Sequence, residues 1–583
     1  MTGRRGPSPA LLAVLLMAAA LRVAAALTLG DVTTLHGDEV YYVEAGRALA
    51  RGLGYPDSVR PPGWPFLVAA VFRTVGESLT AVRLAQAAVS LLAVAVVFDV
   101  ARRRFGSRAA VAAGTLCALM PELVHYTHFL WSETLFTTLL LGALWALDRF
   151  ETSPRTGWAV VAGALLGLAG LTREMILPFA GLAAAWTAWV AAGPARARAR
   201  PAAGLLLACA AVVLPWTARN YARHGRVVLV STIRWFPMAV GNLLPADGAL
   251  LGRDPEQQFA TRYFAIPDEL AREALARRVT LDAIAREQPG WLPRKLVRNL
   301  YGLFTPYTQL ARFARYEWLP ARWQPLARAL LPFEMALTVA VMALGAAGLW
   351  WVDAGRWKPL VATLVLFFLA LHVIANANHR FRVPLLPVFA LFAGALIAGA
   401  PRPRRRAVLA GGLAALAIPV LAAATFLVRG PERGALPEPP AAGRHSIVLI
   451  SIDTLRPDHL GCYGYPRPTS PNLDAFAGEG VLFEHAYAAA SWTLPSHASM
   501  LSGWSPYRHG AVDGTTRIPD HVPLLADVLR AQGYETLGAV GNPFVSEHFG
   551  FRRGFDRWLE RRKSGRDPDA YHAELLAEVR ALR

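Results

Sequence analysis

Four short stretches carry side chains able to do chemistry, and each stands where an apolar run begins or ends. Asp38 and Glu39 adjoin in LHGDEVYYVEAGRALARGLGYPDSVRPPGWP, just after the first run. Glu133 lies in FLWSETLF, Arg173 and Glu174 in LTREMILP, and His379, Arg380 and Arg382 in NANHRFRVPLLP. An acidic pair near several arginines suits acid–base work on a phosphorylated substrate. A carboxylate can take the proton from an attacking hydroxyl or amine, while arginines offer forked donors to a departing phosphate. Each charge alone has a plainer reading, snorkelling to the interface or pairing with a neighbour, as Arg173 with Glu174. Together they argue for a shared cavity, because charges at membrane depth are costly and tend to be functional.

The elements that must position these groups are membrane helices. Of 583 residues, 54% are hydrophobic and 17% charged, which suits neither a soluble nor a disordered chain. The net charge of +19 sits in short clusters between apolar runs rather than in a groove-sized stripe, so nucleic acid is not an expected partner and the lipid bilayer is. Three cysteines, Cys117, Cys209 and Cys462, make neither a disulfide framework nor a zinc site. Apolar runs predict about eleven spans, near 8–29, 81–101, 109–125, 128–148, 157–171, 175–193, 203–219, 331–351, 360–375, 384–400 and 407–428. The first has the alternative of a cleaved signal peptide. GRRG, ARRRFGSR, DRFETSPR, ARARAR, DAGRWK and PRPRRR fall on alternate connections, and one orientation makes all six cytoplasmic. The amino terminus is then inside, and residues 30–80, 220–330 and all beyond 429 lie outside. The segment 220–330 reads as amphipathic helices with solvated charged faces, capping the cavity.

GDEVYYVEAGRALARGLGY followed by RPPGWPFLVAAVF resembles the first external loop of the membrane glycosyltransferases that include protein O-mannosyltransferases and bacterial aminoarabinose transferases. SETLF, LTRE and HRFRVPLLP resemble later motifs of that family, so the resemblance covers about residues 1–428. It implies an inverting enzyme of the extracytoplasmic face that takes a sugar from a polyprenyl-phosphate donor. By matched position Asp38 is the base, Glu39 assists it or binds a metal, and Arg173, Arg380 and Arg382 receive the lipid phosphate. Glu133 is a further candidate. The sugar and the acceptor stay open.

After a Pro/Gly/Ala-rich linker, 429–444, the composition changes. SIVLISID predicts a strand that delivers Asp453 at its carboxyl end, where open α/β sheets place ligands. The stretch from TLRPDHLGCYGY to SWTLPSHASMLSG resembles the amino-terminal signature of sulfatases in the alkaline phosphatase superfamily. The resemblance implies a divalent cation (Ca, Mg, Mn or Zn) at Asp453, with Thr493 in the nucleophile position and His497 where arginine is usual. Thr454 replaces the second acid of the usual pair, and a threonine cannot become the formylglycine of sulfatases. A threonine nucleophile suits phosphoethanolamine transferases or phosphodiesterases of the same superfamily. From residues alone, SWTLPSHASM also reads as a capped helix start. The Asp-His pair that follows Thr493, Asp520 and His521 in PDHV, comes too early and in the wrong context to be the later metal-binding pair of such domains, so residues 445–583 are expected to be the first portion of such a domain, either truncated or inactive.

The expected fold is therefore a polytopic α-helical membrane protein of about eleven spans followed by a partial α/β sulfatase-like domain. The expected function is sugar transfer from a lipid-linked donor. The alternative is a membrane-anchored phosphoryl- or sulfuryl-transfer enzyme using Thr493. A transporter or scaffold ranks third, because transporters gather polar groups near the bilayer midplane.

Overall fold

The computed structural model describes residues 8–28, 38–243, most of 259–311, 324–400, most of 446–560 and 568–581. The chain divides into two compact units, Met1–Gly434 and Ala435–Arg583.

In the first unit the apolar runs become helices: α1 (Pro9–Thr28), α4 (Leu79–Phe105), α5 (Ser107–Leu119), α6 (Pro121–His128), α7 (Glu133–Thr152), α8 (Thr156–Thr172), α9 (Leu177–Val190) and α10 (Ala195–His224). Between α1 and α4 lie the shorter α2 (Asp38–Ala50) and α3 (Gly63–Val75). Arg22, the one charge within α1, is fully buried; it donates to Ser90 Oγ at 2.8 Å and to the carbonyls of Ala118 and Cys117, tying α1 to α4 and α5. Small residues let α8 and α10 touch backbone to backbone. A Cβ on Gly163 would strike the Leu205 carbonyl, and one on Gly167 would stand 2.9 Å from the Cys209 carbonyl.

Against eleven expected spans, six helices among the described residues are long and apolar enough to cross a membrane, and the bent pair α5–α6, broken by 48° at Met120–Pro121, makes a seventh. The shortfall has local causes. α7 carries Glu133, Asp148, Arg149 and Glu151. α8 has 17 residues, about 25 Å, short of a hydrocarbon core of about 30 Å. Glu174–Val190, which begins with a 3-10 turn, falls in the same short class. The expected span 407–428 and the linker 429–444 lie outside the described residues.

The segment beyond α10 supplies α11 (Trp235–Asn242), α12 (Glu269–Arg286) and α13 (Trp291–Phe304), followed by the long α14 (Gln324–Trp351), α15 (Trp357–Ile374) and α16 (Leu386–Ile397). The sequence predicts solvated charged faces here, but not all the charges are solvated. Lys295 is fully buried and donates to the Ala375 carbonyl at 2.8 Å, and Asn299 donates to the His372 and Val373 carbonyls, so α13 grips the end of α15. Glu269 accepts the Ser58 N–H at 3.1 Å, fastening α12 to the loop between α2 and α3.

The second unit has α17 (Pro471–Glu479), α18 (Thr493–Ser502), α19 (Pro506–His509), α20 (Leu525–Ala531) and α21 (Pro568–Ala581). β1 (Leu537–Val540) and β2 (Arg557–Glu560) pair in parallel, Leu537 opposite Arg557 and Val540 opposite Glu560. Leu494, Ala498, Ile518, Leu524 and Phe551 fill its small core. The expected strand at 446–453 is not one: Val448 and Ile450 are 80% and 79% exposed and the segment joins no sheet among the described residues. A β-branched run needs a neighbour's backbone to become a strand, and β1 and β2 pair with each other instead.

Candidate functional site

The charged groups at the helix ends meet. Asp38 is the first residue of α2, where unspent backbone N–H groups favour a carboxylate. Arg60 Nη2 donates to Asp38 Oδ1 at 2.6 Å, and Arg380 Nη1 donates to Oδ2 at 3.0 Å. Arg380 Nε donates to Glu133 Oε1, and Arg173 Nη2 donates to that same oxygen. Arg173 Nε also donates to Ser132 Oγ at 3.1 Å. Five side chains from the α2–α3 region, α7, the end of α8 and the turn His379–Leu385 thus form one continuous chain of ion pairs. Burial pushes the Asp38 carboxyl up, but Arg380 and Arg60 more than offset this and hold it below the usual carboxylate range.

Two residues expected here do other work. Glu39 is buried, and its Oε1 accepts the Leu130 N–H at 2.9 Å. It follows Asp38 on a helix, where consecutive side chains do not face each other, so the acidic pair is split between a site and a structural tie. Arg382 is fully buried, paired with the equally buried Glu122 of α6, and donates to the carbonyls of Leu303 and Thr305. Its guanidinium is spent on holding the turn to α6 and α13, which corrects its assignment to a lipid phosphate. His379 is buried at the start of that turn. Glu174 accepts the Ser231 N–H and pairs with Arg234 rather than with Arg173.

Two residues of the cluster carry little mark in the sequence. Arg60 shares only a loop with Asp38. Trp131, in FLWSETLF, lies under Arg380, whose Cζ stands 4.2 Å from the ring centroid. An aromatic residue two places before Glu133 is the one signal that could have found it.

In the second unit Thr493 opens α18, and its Oγ1 lies 3.3 and 3.2 Å from the Asp453 carboxylate oxygens. Asn542, just beyond β1, donates to Asp453 Oδ2 at 2.5 Å. His497 Nδ1 lies 2.9 Å from the Thr493 carbonyl, which can only accept, so Nδ1 carries a proton, and Nε2 is hydrogen-bonded to Ser451 Oγ at 2.8 Å. His497 therefore serves Ser451, and the group facing the Thr493 hydroxyl is Asp453. Thr454, next to Asp453, has a positive φ of 59°, a conformation that costs a β-branched residue on the order of 1–3 kcal/mol. Among the described residues no three His, Cys, Asp or Glu side chains are grouped to hold a metal ion, around Asp453 or around Asp38 and Glu39. Asp453 faces the Thr493 hydroxyl and the Asn542 side-chain amide, groups whose oxygens can also ligate a cation.

A family model described as dolichyl-phosphate-mannose-protein mannosyltransferase matches residues 59–218, and one described as sulfatase matches residues 445–574. The chain resembles two families, one in each unit. Arylsulfatase A of Bos taurus is 38% identical over 128 residues, 19% of this chain and 25% of its own length. N-acetylgalactosamine-6-sulfatase of Rattus norvegicus is 33% identical over 160 residues, 25% of this chain and 28% of its own. The chain spans about a quarter of the length of these curated relatives. ArnT from Cupriavidus metallidurans bound to undecaprenyl phosphate superposes with a TM-score of 0.34 at 18% identity, over 67% of this chain and 79% of that one. An Archaeoglobus fulgidus oligosaccharyltransferase gives 0.39 at 16%, over 71% and 55%. Likeness at this level leaves the chemistry to the residues themselves.

Proposed function

We propose that the protein is a membrane glycosyltransferase that moves a sugar from a polyprenyl-phosphate donor to an acceptor on the extracytoplasmic side. One observation carries this reading. Asp38 sits in a cluster where three guanidinium groups, Arg60, Arg173 and Arg380, face two carboxylates, Asp38 and Glu133. The balance is one positive charge, matching the single negative charge of a phosphodiester. Asp38 takes the proton from the acceptor's hydroxyl or amine as that atom bonds to the anomeric carbon. The bond from that carbon to the phosphate oxygen breaks, and the phosphate leaves with the electron pair toward Arg380 and its neighbours. A single displacement of this kind inverts the anomeric carbon. The mannosyltransferase match over 59–218 supports the class of reaction.

Asp38→Asn tests it. Sugar transfer from a polyprenyl-phosphate sugar should fall by about 10²–10⁴-fold, the range of a lost general base. Full transfer by this variant would remove Asp38 from the role.

The contact between Thr493 Oγ1 and Asp453 supports a second chemistry on the tail, phosphoryl or sulfuryl transfer with Thr493 as nucleophile and Asp453 as proton acceptor.

A further inference from the structure

We propose that Trp131 and Glu133 are positioning residues that fix the pose of Arg380, so that the unspent edge of its guanidinium is offered to the leaving phosphate beside Asp38. This rests on the sugar-transfer reading.

A guanidinium is a planar fork, and its use depends on which edges are already taken. Arg380 gives Nε to Glu133 and Nη1 to Asp38, and lays its face on the Trp131 ring at 4.2 Å. Nη2 has no partner among the described residues. Two bonded edges and one stacked face leave the side chain little freedom to turn. An anion arriving next to Asp38 therefore meets N–H donors already in place, which is the condition for stabilising charge in a transition state without reorganisation.

The platform beneath Arg380 is itself held. Trp131 stacks on Phe129 with centroids 4.9 Å apart and planes 28° apart. Leu130, between them, is fastened from both sides: its N–H donates to Glu39 Oε1 at 2.9 Å, and its carbonyl accepts from Trp64 Nε1 at 2.9 Å. Glu133 is fully buried at the start of α7 and spends one oxygen, Oε1, on both Arg380 and Arg173, while Oε2 makes no hydrogen bond. The indole Nε1 of Trp131 is likewise buried without a hydrogen-bond partner. Neither residue offers a polar atom to anything but the guanidinium groups: Trp131 acts through Arg380, and Glu133 holds Arg380 together with Arg173. In particular, the ring face of Trp131 is what counts, and a phenyl face should stand in for it.

The test is a double-mutant cycle on the full chain in detergent, read by the affinity for undecaprenyl phosphate and by the donor KM and kcat. Trp131→Leu should weaken undecaprenyl phosphate binding and raise the donor KM by about tenfold, the scale of a partly desolvated cation–π contact. Trp131→Phe should restore most of that loss. Glu133→Gln, which keeps shape and removes charge, should weaken binding as Trp131→Leu does. In an Arg380→Gln background Trp131→Leu should not weaken binding further, because the group it positions is gone, and Glu133→Gln should keep only the part of its loss that runs through Arg173. Equal losses in both backgrounds, or a Trp131→Phe protein as impaired as Trp131→Leu, would overturn the proposal. Phosphate affinity is read without turnover, so a native protein that transfers no sugar from a polyprenyl-phosphate donor would sink the sugar-transfer reading while the cycle still measured the coupling to Arg380 separately.

Discussion

Replacing Arg60 with Met keeps an unbranched side chain at this position and removes the guanidinium that lies over Tyr41 and Tyr42 and donates to Asp38 Oδ1. The pair is close, at 2.6 Å, and its side chains are 24% and 22% exposed. A charge-assisted hydrogen bond contributes about 1.5–3 kcal/mol, and partial exposure places this one near the lower figure. That energy belongs to the ionised form of Asp38. Burial drives the carboxyl up, and Arg380 and Arg60 together bring it below its usual range, so losing Arg60 must move it upward. The sign for stability follows. A depressed carboxylate contributes stability above its unfolded pKa and loses it as pH falls through the lower folded value, and Arg60→Met shrinks that contribution. For catalysis, the ionised base should persist to lower pH in the native protein than in the variant. The profile of kcat/KM for transfer from a polyprenyl-phosphate sugar reports the free enzyme's base. Its acid limb should move to higher pH in Arg60→Met, with the neutral plateau reduced far less than by Asp38→Asn. An acid limb that stays in place while the whole profile drops would mean Arg60 supports only the shape of the loop, and the electrostatic account of Asp38 would fail.

Other outcomes follow from the same geometry. Arg382→Met should cost about 3–5 kcal/mol of stability by stranding the buried Glu122, and Glu122→Gln added to it should recover much of the loss in thermal unfolding. Gly163→Leu should drive α8 off α10 and lower the yield of folded protein in membranes, whereas the same change at the exposed Gly157, where an added Cβ meets nothing, should not. Thr493→Ala should abolish any hydrolysis of a bis-aryl phosphodiester by the protein while leaving sugar transfer intact, and retained hydrolysis would remove Thr493 as nucleophile.

Much of the architecture is legible in the residues because membrane helices are set locally. An apolar run satisfies its own backbone, so α1, α4, α10, α14 and α15 appear close to where hydropathy puts them. Length is the part that hydropathy misjudges, as at α8 and at Glu174–Val190, where the run is real but short. The tail behaves oppositely. SIVLISID has every local mark of a strand, yet a strand exists only against a neighbour, and none pairs with it among the described residues.

By itself the sequence determined which groups were available: acids and arginines at run ends, and Thr493 near an acid-bearing signature. Only the tertiary structure decided which of them work together. Asp38 and Arg380 are 342 positions apart, and no spacing rule links them. Neighbours, conversely, part company. Glu39 turns from Asp38 because successive helical side chains diverge. Arg382 leaves Arg380 because a 3-10 turn realigns side chains every third residue, not every second. Proximity along the chain suggested shared chemistry for both pairs, and helical rotation separated them.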